Sequence, residues 1–449
     1  MRPKIRAASM AAGALCLALA ASACAGAGGG TAAGDQNSIN VLMVNNPQME
    51  DLQRLTAENF TQETGIKVNY TVLPENDVRA KISQEFSSQA GQYDVASLSN
   101  YEIPFYSANG WLAPLDGVAA DAAFDQDDIL PAYTASLTGE DGKLYGEPFY
   151  GESSFLMYRK DVFEAKGLTM PDKPTWDQVA ELAAQVDGAE AGMRGICLRG
   201  QPGWGQVFAP LTTVVNTFGG TWFDKDWNAQ VNAPEFKEAT QFYVDLVREH
   251  GEAGAAQAGF TECLNNMTQG KTAMWYDATS AAGVMEADSS PVKGKIGYAQ
   301  APVKETESSG WLWTWSWGVQ AASKKQDAAG QFIAWASSSE YEELVAEKLG
   351  WARVPSGKRI STYENADFQR AAPFFEAERT AIENADPTNP GVQERPAIGI
   401  QFVGIPEFAD LGTSVSQGVS SAIAGQGTVD EALAKGQEDA QKVADNYKK

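Results

Sequence analysis

Histidine is almost missing from this chain: His250 is the only one among 449 residues. It falls at the end of a helical pattern, where a cation is favoured by the helix dipole. No further imidazole is left to build Ser-His-Asp or Cys-His machinery. Basic charge is scarce too, with 34 Lys and Arg against 58 Asp and Glu, a net charge of -24. Such a surface repels nucleic acid and anionic headgroups, so no nucleic-acid partner is expected. The G-x-S-x-G elbow, H-E-x-x-H, the P-loop, G-x-G-x-x-G and the EF-hand loop are all absent. A glycosidase, which needs only two carboxylates, survives that search. Beyond the N-terminus no run is long and apolar enough to span a bilayer.

What the chain does contain begins with a leader. Arg2, Lys4 and Arg6 form a positive start, Ala7 to Ala21 is apolar, and Ala21-Ser-Ala-Cys24 follows. This is a secretory signal, too short for a spanning helix. The cleavage segment resembles a bacterial lipobox, with Ala21 where leucine is commonest. That resemblance implies lipidation of Cys24 and anchoring to the outer face of the cytoplasmic membrane. The alternative is an incidental cysteine near an ordinary cleavage site. Cys16 follows Leu15 and reads as part of the apolar segment. Residues 1–23 are read as signal peptide and 24–37 as a flexible tether, rich in Gly and Ala. Removing the leader leaves 31 bases against 58 acids, a net charge of -27. Cys197 and Cys263 then remain in an oxidising compartment, and a disulfide is expected between them; two separate buried thiols are the alternative. A loop of that length contributes about 4 kcal/mol in the chain-entropy picture. Two cysteines and one histidine cannot form an ordinary structural zinc site. No metal site and no cofactor are expected.

The length suits two lobes, and the 43% hydrophobic content supplies a core. Residues 39–44 read as a buried strand, 49–60 as a helix closed by Gly65, 66–72 as a strand, 78–86 as a helix and 93–98 as a strand. Thr175 and Gln178 form a capping box at a helix start. A further helix opens near Asn232 and closes at Gly251, residues 270–276 return to strand, and 428–449 form a polar helix. Alternating strands and helices predict an α/β fold with parallel sheets flanked by helices. Ligands bind beyond the carboxyl ends of such strands. That singles out Asn46 after the first strand and Asn100, Tyr101 and Glu102 after the third.

Twelve tryptophans are present, and Trp311, Trp313, Trp315 and Trp317 recur at period two, one face of a strand. They form either a core face under helices or a platform for the C–H faces of a sugar or polyol. Hydroxyls would then bond to carboxylates and guanidinium groups. Glu152, Asp277, Arg199 (before Trp204) and Arg353 (after Trp351) sit beside aromatic residues and fit that role. For each alone, a surface charge or structural ion pair is an equal reading.

Five blocks, in order, resemble the family 1 extracellular solute-binding proteins of ABC importers. They are the lipoprotein leader, the stretch from Gly142 through Tyr150-Gly-Glu152 to Asp161, Pro174-Thr-Trp-Asp177, Gly270-Lys-Thr-Ala-Met274, and Ser323-Lys324 with residues 328–339. Residues 277–283, 399–408, 412–413 and 427–433 resemble its sorbitol/mannitol-binding branch. The resemblance implies a two-lobed periplasmic-binding-protein-like fold with three crossings. Its N-lobe would comprise 38–150 and 296–338, its C-lobe 151–295 and 339–449. It further implies a monomer that captures a small polyol or sugar in the interlobe cleft and delivers it to membrane permease subunits. Glu152 would lie at the hinge, Asp277 on the C-lobe, Trp313 and Trp315 in the cleft, with Arg353 and residues 400–408 closing the C-lobe wall. The rival readings are a secreted carbohydrate-active enzyme and a polysaccharide-binding surface lipoprotein.

Overall fold

The computed structural model describes residues 37–448. The signal peptide, Cys24 and nearly all of the tether lie outside the described residues. Ten strands form two sheets: β1 (Ser38–Val44), β2 (Lys67–Leu73), β3 (Val95–Ser99), β4 (Leu112–Ala113), β5 (Glu147–Glu152), β6 (Ser154–Arg159), β7 (Arg194–Cys197), β8 (Thr272–Ala278), β9 (Ile296–Gln300) and β10 (Trp313–Gln320). The first sheet runs β2-β1-β3-β10-β4, with β5 also paired to β10; the second runs β7-β8-β6-β9.

Strand direction decides where a ligand can sit. β1, β2 and β3 are parallel, β10 is antiparallel to β3, and β5 is antiparallel to β10. The carboxyl ends of β1, β2, β3 and β5 therefore share one edge with the start of β10. In the second sheet β7 and β8 are parallel, and Ser154, at the start of β6, pairs with Ala278 at the end of β8. Only Ser153 separates β5 from β6. The two functional edges thus face each other across a one-residue crossing.

Local sequence explains the elements. Val41 to Val44 are fully buried, as expected of a parallel strand covered on both faces. The helix that follows changes to a π turn at Ala57–Thr61 and ends at Gly65, whose φ of 75° suits glycine. Thr175 and Gln178 make the expected capping box, and so do Thr428 and Glu431. Pro234 opens the helix that ends at His250, whose Nδ1 lies 3.3 Å from Asp187. Cys197 is bonded to Cys263.

Two expected boundaries move. β9, assigned above to the first lobe, pairs with β6 in the second sheet, so the second crossing falls within 301–312. Its backbone finds partners on the free edge of β6. Residues 339–364, assigned to the C-lobe, include Tyr341, packed on Phe149 and Trp335, and Arg359, bound to Asp128 and paired by its backbone with Ile129. This segment covers the first lobe, where its aromatic and charged groups are satisfied. Among the described residues, no helix is long and apolar enough to cross a membrane.

Candidate functional site

Between the two sheet edges lies a narrow cavity. Its walls include Asn46, Glu152, Arg199, Trp313 and Trp315 from the sequence reading. They also include Gln401 and Phe402, from the 400–408 segment read as the C-lobe wall, Trp311 of the indole run, and Glu75 and Arg79, which that reading did not put forward as contacts. Glu75 and Arg79 had a usable signal. They begin the helix immediately after β2, at the same kind of strand end that marked Asn46 and Asn100.

The second-lobe wall centres on Arg199, just beyond β7. Its Nε and Nη2 donate to Asp277 Oδ2 and Oδ1 at 2.8 and 2.6 Å, a bidentate pair. Nη1 donates to Gly205 O at 3.0 Å and lies 3.6 Å from Glu75 of the opposite lobe. Asp277 also accepts from Trp275 Nε1 and the Ala278 N–H. Burial alone would lower the Arg199 pKa; Asp277 reverses that and holds it above the ordinary value. Asp277 therefore positions Arg199 and does not itself line the cavity.

The first-lobe wall centres on Arg79. Its Nη1 donates to Glu102 at 2.8 Å and its Nε and Nη2 to Glu75 at 3.1 and 2.8 Å. The guanidinium carbon lies 4.3 Å from the Trp204 ring, 5.1 Å from Trp313 and 4.7 Å from Trp315. Such contacts favour a desolvated cation. Glu102 also accepts from the Ser99 backbone N–H and hydroxyl. Asn100 ties β10 down, donating to Leu312 O and accepting from the Thr314 N–H. Glu102 and Asn100 thus support the wall from behind, and Trp204 covers Arg79 from the opposite lobe.

Glu152, closing β5, is 6% exposed and accepts from Ser280 Oγ at 2.5 Å. Burial pushes its pKa up to about 8, although Ser280 and Arg199 pull it down. It can therefore donate or accept a hydrogen bond near neutrality. Trp311 Nε1 is buried without a partner among the described residues and faces the same cavity, a donor held ready. The indole run does not form one ribbon. β10 starts at Trp313; Trp311 lies in the crossing beside Tyr276, and Trp317 is core, packed on Phe149 and Phe332. Only the two residues at the strand's opening, with Trp311, reach the cavity.

Contacts between the lobes close the cleft. Tyr101 OH donates to Ile405 O at 2.8 Å, Gln48 Nε2 to Ser280 O at 2.8 Å and Asn76 Nδ2 to Pro202 O at 3.0 Å. Gly203, at φ 140°, has room for no side chain against Asn76. Arg353 lies outside the cavity and donates through Nε to Asp51 at 3.0 Å. It fastens the 339–364 segment to the first lobe and is not a wall residue.

The family model of the bacterial extracellular solute-binding proteins matches residues 45–343. A mannitol-binding protein of Pseudomonas aeruginosa is 39% identical over 403 residues, 89% of this chain and 92% of that one. An erythritol/L-threitol-binding protein of Mycolicibacterium smegmatis is 26% identical over 327 residues, 68% of this chain and 67% of its own. Among solved structures, an ABC transporter solute-binding protein from Agrobacterium vitis with bound D-mannitol superposes with a TM-score of 0.89. It is 45% identical and covers 91% of this chain and 99% of its own. A solute-binding protein from Agrobacterium radiobacter in complex with ribitol gives 0.80 at 26% identity, covering 90% and 98%. With two facing sheets, a buried cleft and a match across most of its length, this chain belongs to the bacterial extracellular solute-binding proteins.

Proposed function

We propose that this protein captures a linear polyol, mannitol-like or sorbitol-like, between its lobes and presents it to the permease of an ABC importer. One observation carries the reading. Two buried arginines, each locked by carboxylates, face a single cavity that also holds a partnerless indole N–H and a neutralisable acid. A polyol offers a hydroxyl on every carbon, each able to donate and accept. Arg199 and Trp311 donate to it, Glu75 accepts, and Glu152 does either. Trp313 and Trp315 offer apolar surface to its C–H groups. The relatives with bound mannitol and ribitol support this class of solute.

Binding acts through closure. Arg199 contacts the solute from one side of the crossing, Glu75, Arg79 and Glu152 from the other. A ligand touching both walls favours the closed form by that difference in contact alone. The permease then separates the lobes and releases the solute. The protein acts as a monomer, tethered through acylated Cys24 on the outer face of the membrane. Two chains of acyl carbons suffice for stable anchoring. No cofactor enters this cycle. Turnover of glycosides is disfavoured, because the relatives that match most of the chain are solute-binding proteins.

Titration calorimetry against mannitol, sorbitol, arabitol, ribitol, glucose and maltose tests this. One or more linear polyols should bind and quench the indole fluorescence. Binding of cyclic sugars alone would remove the polyol assignment, and release of product from a glycoside would remove the transport reading.

A further inference from the structure

A second chamber opens beside the cavity and shares Asn46, Glu75 and Phe260 with it. It holds about 250 Å³, just under the roughly 300–1,000 Å³ usual for small-molecule sites. Both lobes build it: Asn76 and Asp77 stand on one side, Gln201 and Gln206 on the other. Gln206 is 5% exposed, yet its Oε1 has no partner among the described residues, while its Nε2 donates to Glu75 at 3.3 Å. A buried amide oxygen without a donor is costly, and a ligand hydroxyl in the chamber would supply one. Among the described residues, Glu75, Asp77 and Glu262 carry the only charges on its walls, so phosphate and carboxylate groups are repelled. Phe260, at the junction, offers a ring face against which an apolar C–H surface can rest.

We propose that this outer chamber is a second subsite that holds a neutral glycosyl unit carried by the polyol, so that glycosylated alditols are ligands alongside free ones. The inference rests on the polyol reading of the inner cavity. An alditol fills the inner cavity, and the glycosyl unit passes the gap between Asn46 and Phe260. Its hydroxyls then meet the Gln206 carbonyl and the neighbouring amides.

Gly259 provides the means of testing it. Its backbone is compatible with any residue, and a Cβ there would come within 2.6 Å of the ends of both Gln201 and Gln206, driving those amides into the chamber. Thr261 is exposed at the rim and can carry a bulky group without disturbing the core. The full mature chain is titrated with sorbitol and with glucosyl-sorbitol (maltitol). The unmodified protein should bind the two within about tenfold of each other. Gly259→Val and Thr261→Trp should each weaken glucosyl-sorbitol about tenfold or more while leaving sorbitol within about twofold. Sorbitol binding with no glucosyl-sorbitol binding would overturn the subsite and leave the polyol reading intact. So would equal losses for both ligands in Thr261→Trp, the variant that cannot fail through misfolding of the core. If neither ligand bound, both readings would fall.

Discussion

The two walls of the cleft use the same device, a buried arginine fixed by carboxylates, but they differ in when the device is complete. Arg199 and its bidentate partner Asp277 lie in one lobe, with Gly205 O from the same loop. That wall exists whether the cleft is open or closed. Arg79 is held by Glu102 and Glu75 in its own lobe, but the Trp204 ring above it comes from the other. Glu75 likewise touches Arg199 and Gln206 across the gap. The first wall is therefore finished only on closure. One lobe is a preorganised receptor, and the other supplies the contacts that make closure ligand-dependent.

Breaking the preorganised wall should have the largest effect. Asp277→Ala leaves Arg199 buried without its charge partner, which costs about 3–5 kcal/mol when such a pair is broken. Thermal unfolding should move down markedly, and polyol affinity should fall about a hundredfold or more at the same time. Glu75→Gln attacks the other wall. It removes charge-assisted bonds worth about 1.5–3 kcal/mol in total, so affinity should drop about ten- to a hundredfold. The melting temperature of the ligand-free protein should fall less than in Asp277→Ala, since Glu102 still holds Arg79 and the contacts of Glu75 to Arg199 and Gln206 form only on closure. Equal effects of Glu75→Gln on stability and affinity would erase the distinction between the walls.

Much of the fold was legible. Strand and helix periods placed β1 to β3 and the intervening helices within a few residues, because hydrophobic burial repeats at intervals fixed by backbone geometry. The strand-end rule found Asn46 and the 100–102 turn, but it could not tell wall from buttress. Asn46 lines the cavity, while Asn100 and Glu102 turn away to hold β10 and Arg79. Asp277 was read as a solute contact, whereas it pairs with Arg199 outside the cavity lining, an arrangement that depends on the β7–β8 register. The tryptophan run misled for a related reason: period two describes a strand only where the strand exists, and it begins at Trp313. Arg353 and β9 depended on long-range packing that no local pattern carries.

Protonation offers a finer test of the first wall, whose edge Glu152 closes. Burial raises the pKa of Glu152 to about 8, and it does the same to Glu147 (about 8) and Glu378 (about 7). Each folded-state value lies above the unfolded one, so the native state binds protons that the unfolded state has released. Stability from these groups is full below the ordinary glutamate range. It should decline as pH rises from there to about 8. Glu152→Gln keeps the shape of the neutral acid and should flatten part of that slope in denaturant titrations at several pH values. The remainder belongs to Glu147 and Glu378. An unchanged slope would mean that Glu152 is already ionised in the folded protein, with Arg199 outweighing burial.

The smallest effect should come from a contact made only on closure and remote from the solute. Tyr101→Phe deletes one hydroxyl, whose bond to Ile405 O joins the lobes. The ring keeps its packing on Trp204, Phe105 and Phe402, so neither wall changes shape. A single neutral hydrogen bond is worth about 1 kcal/mol net, or about fivefold in the closing equilibrium. In stopped-flow fluorescence, the loss should appear as faster polyol release with an unchanged association rate, because encounter precedes closure and the open cleft does not contain this bond. A slower association rate would instead mean that Tyr101 shapes the open receptor. In that case the first lobe would be as preorganised as the second.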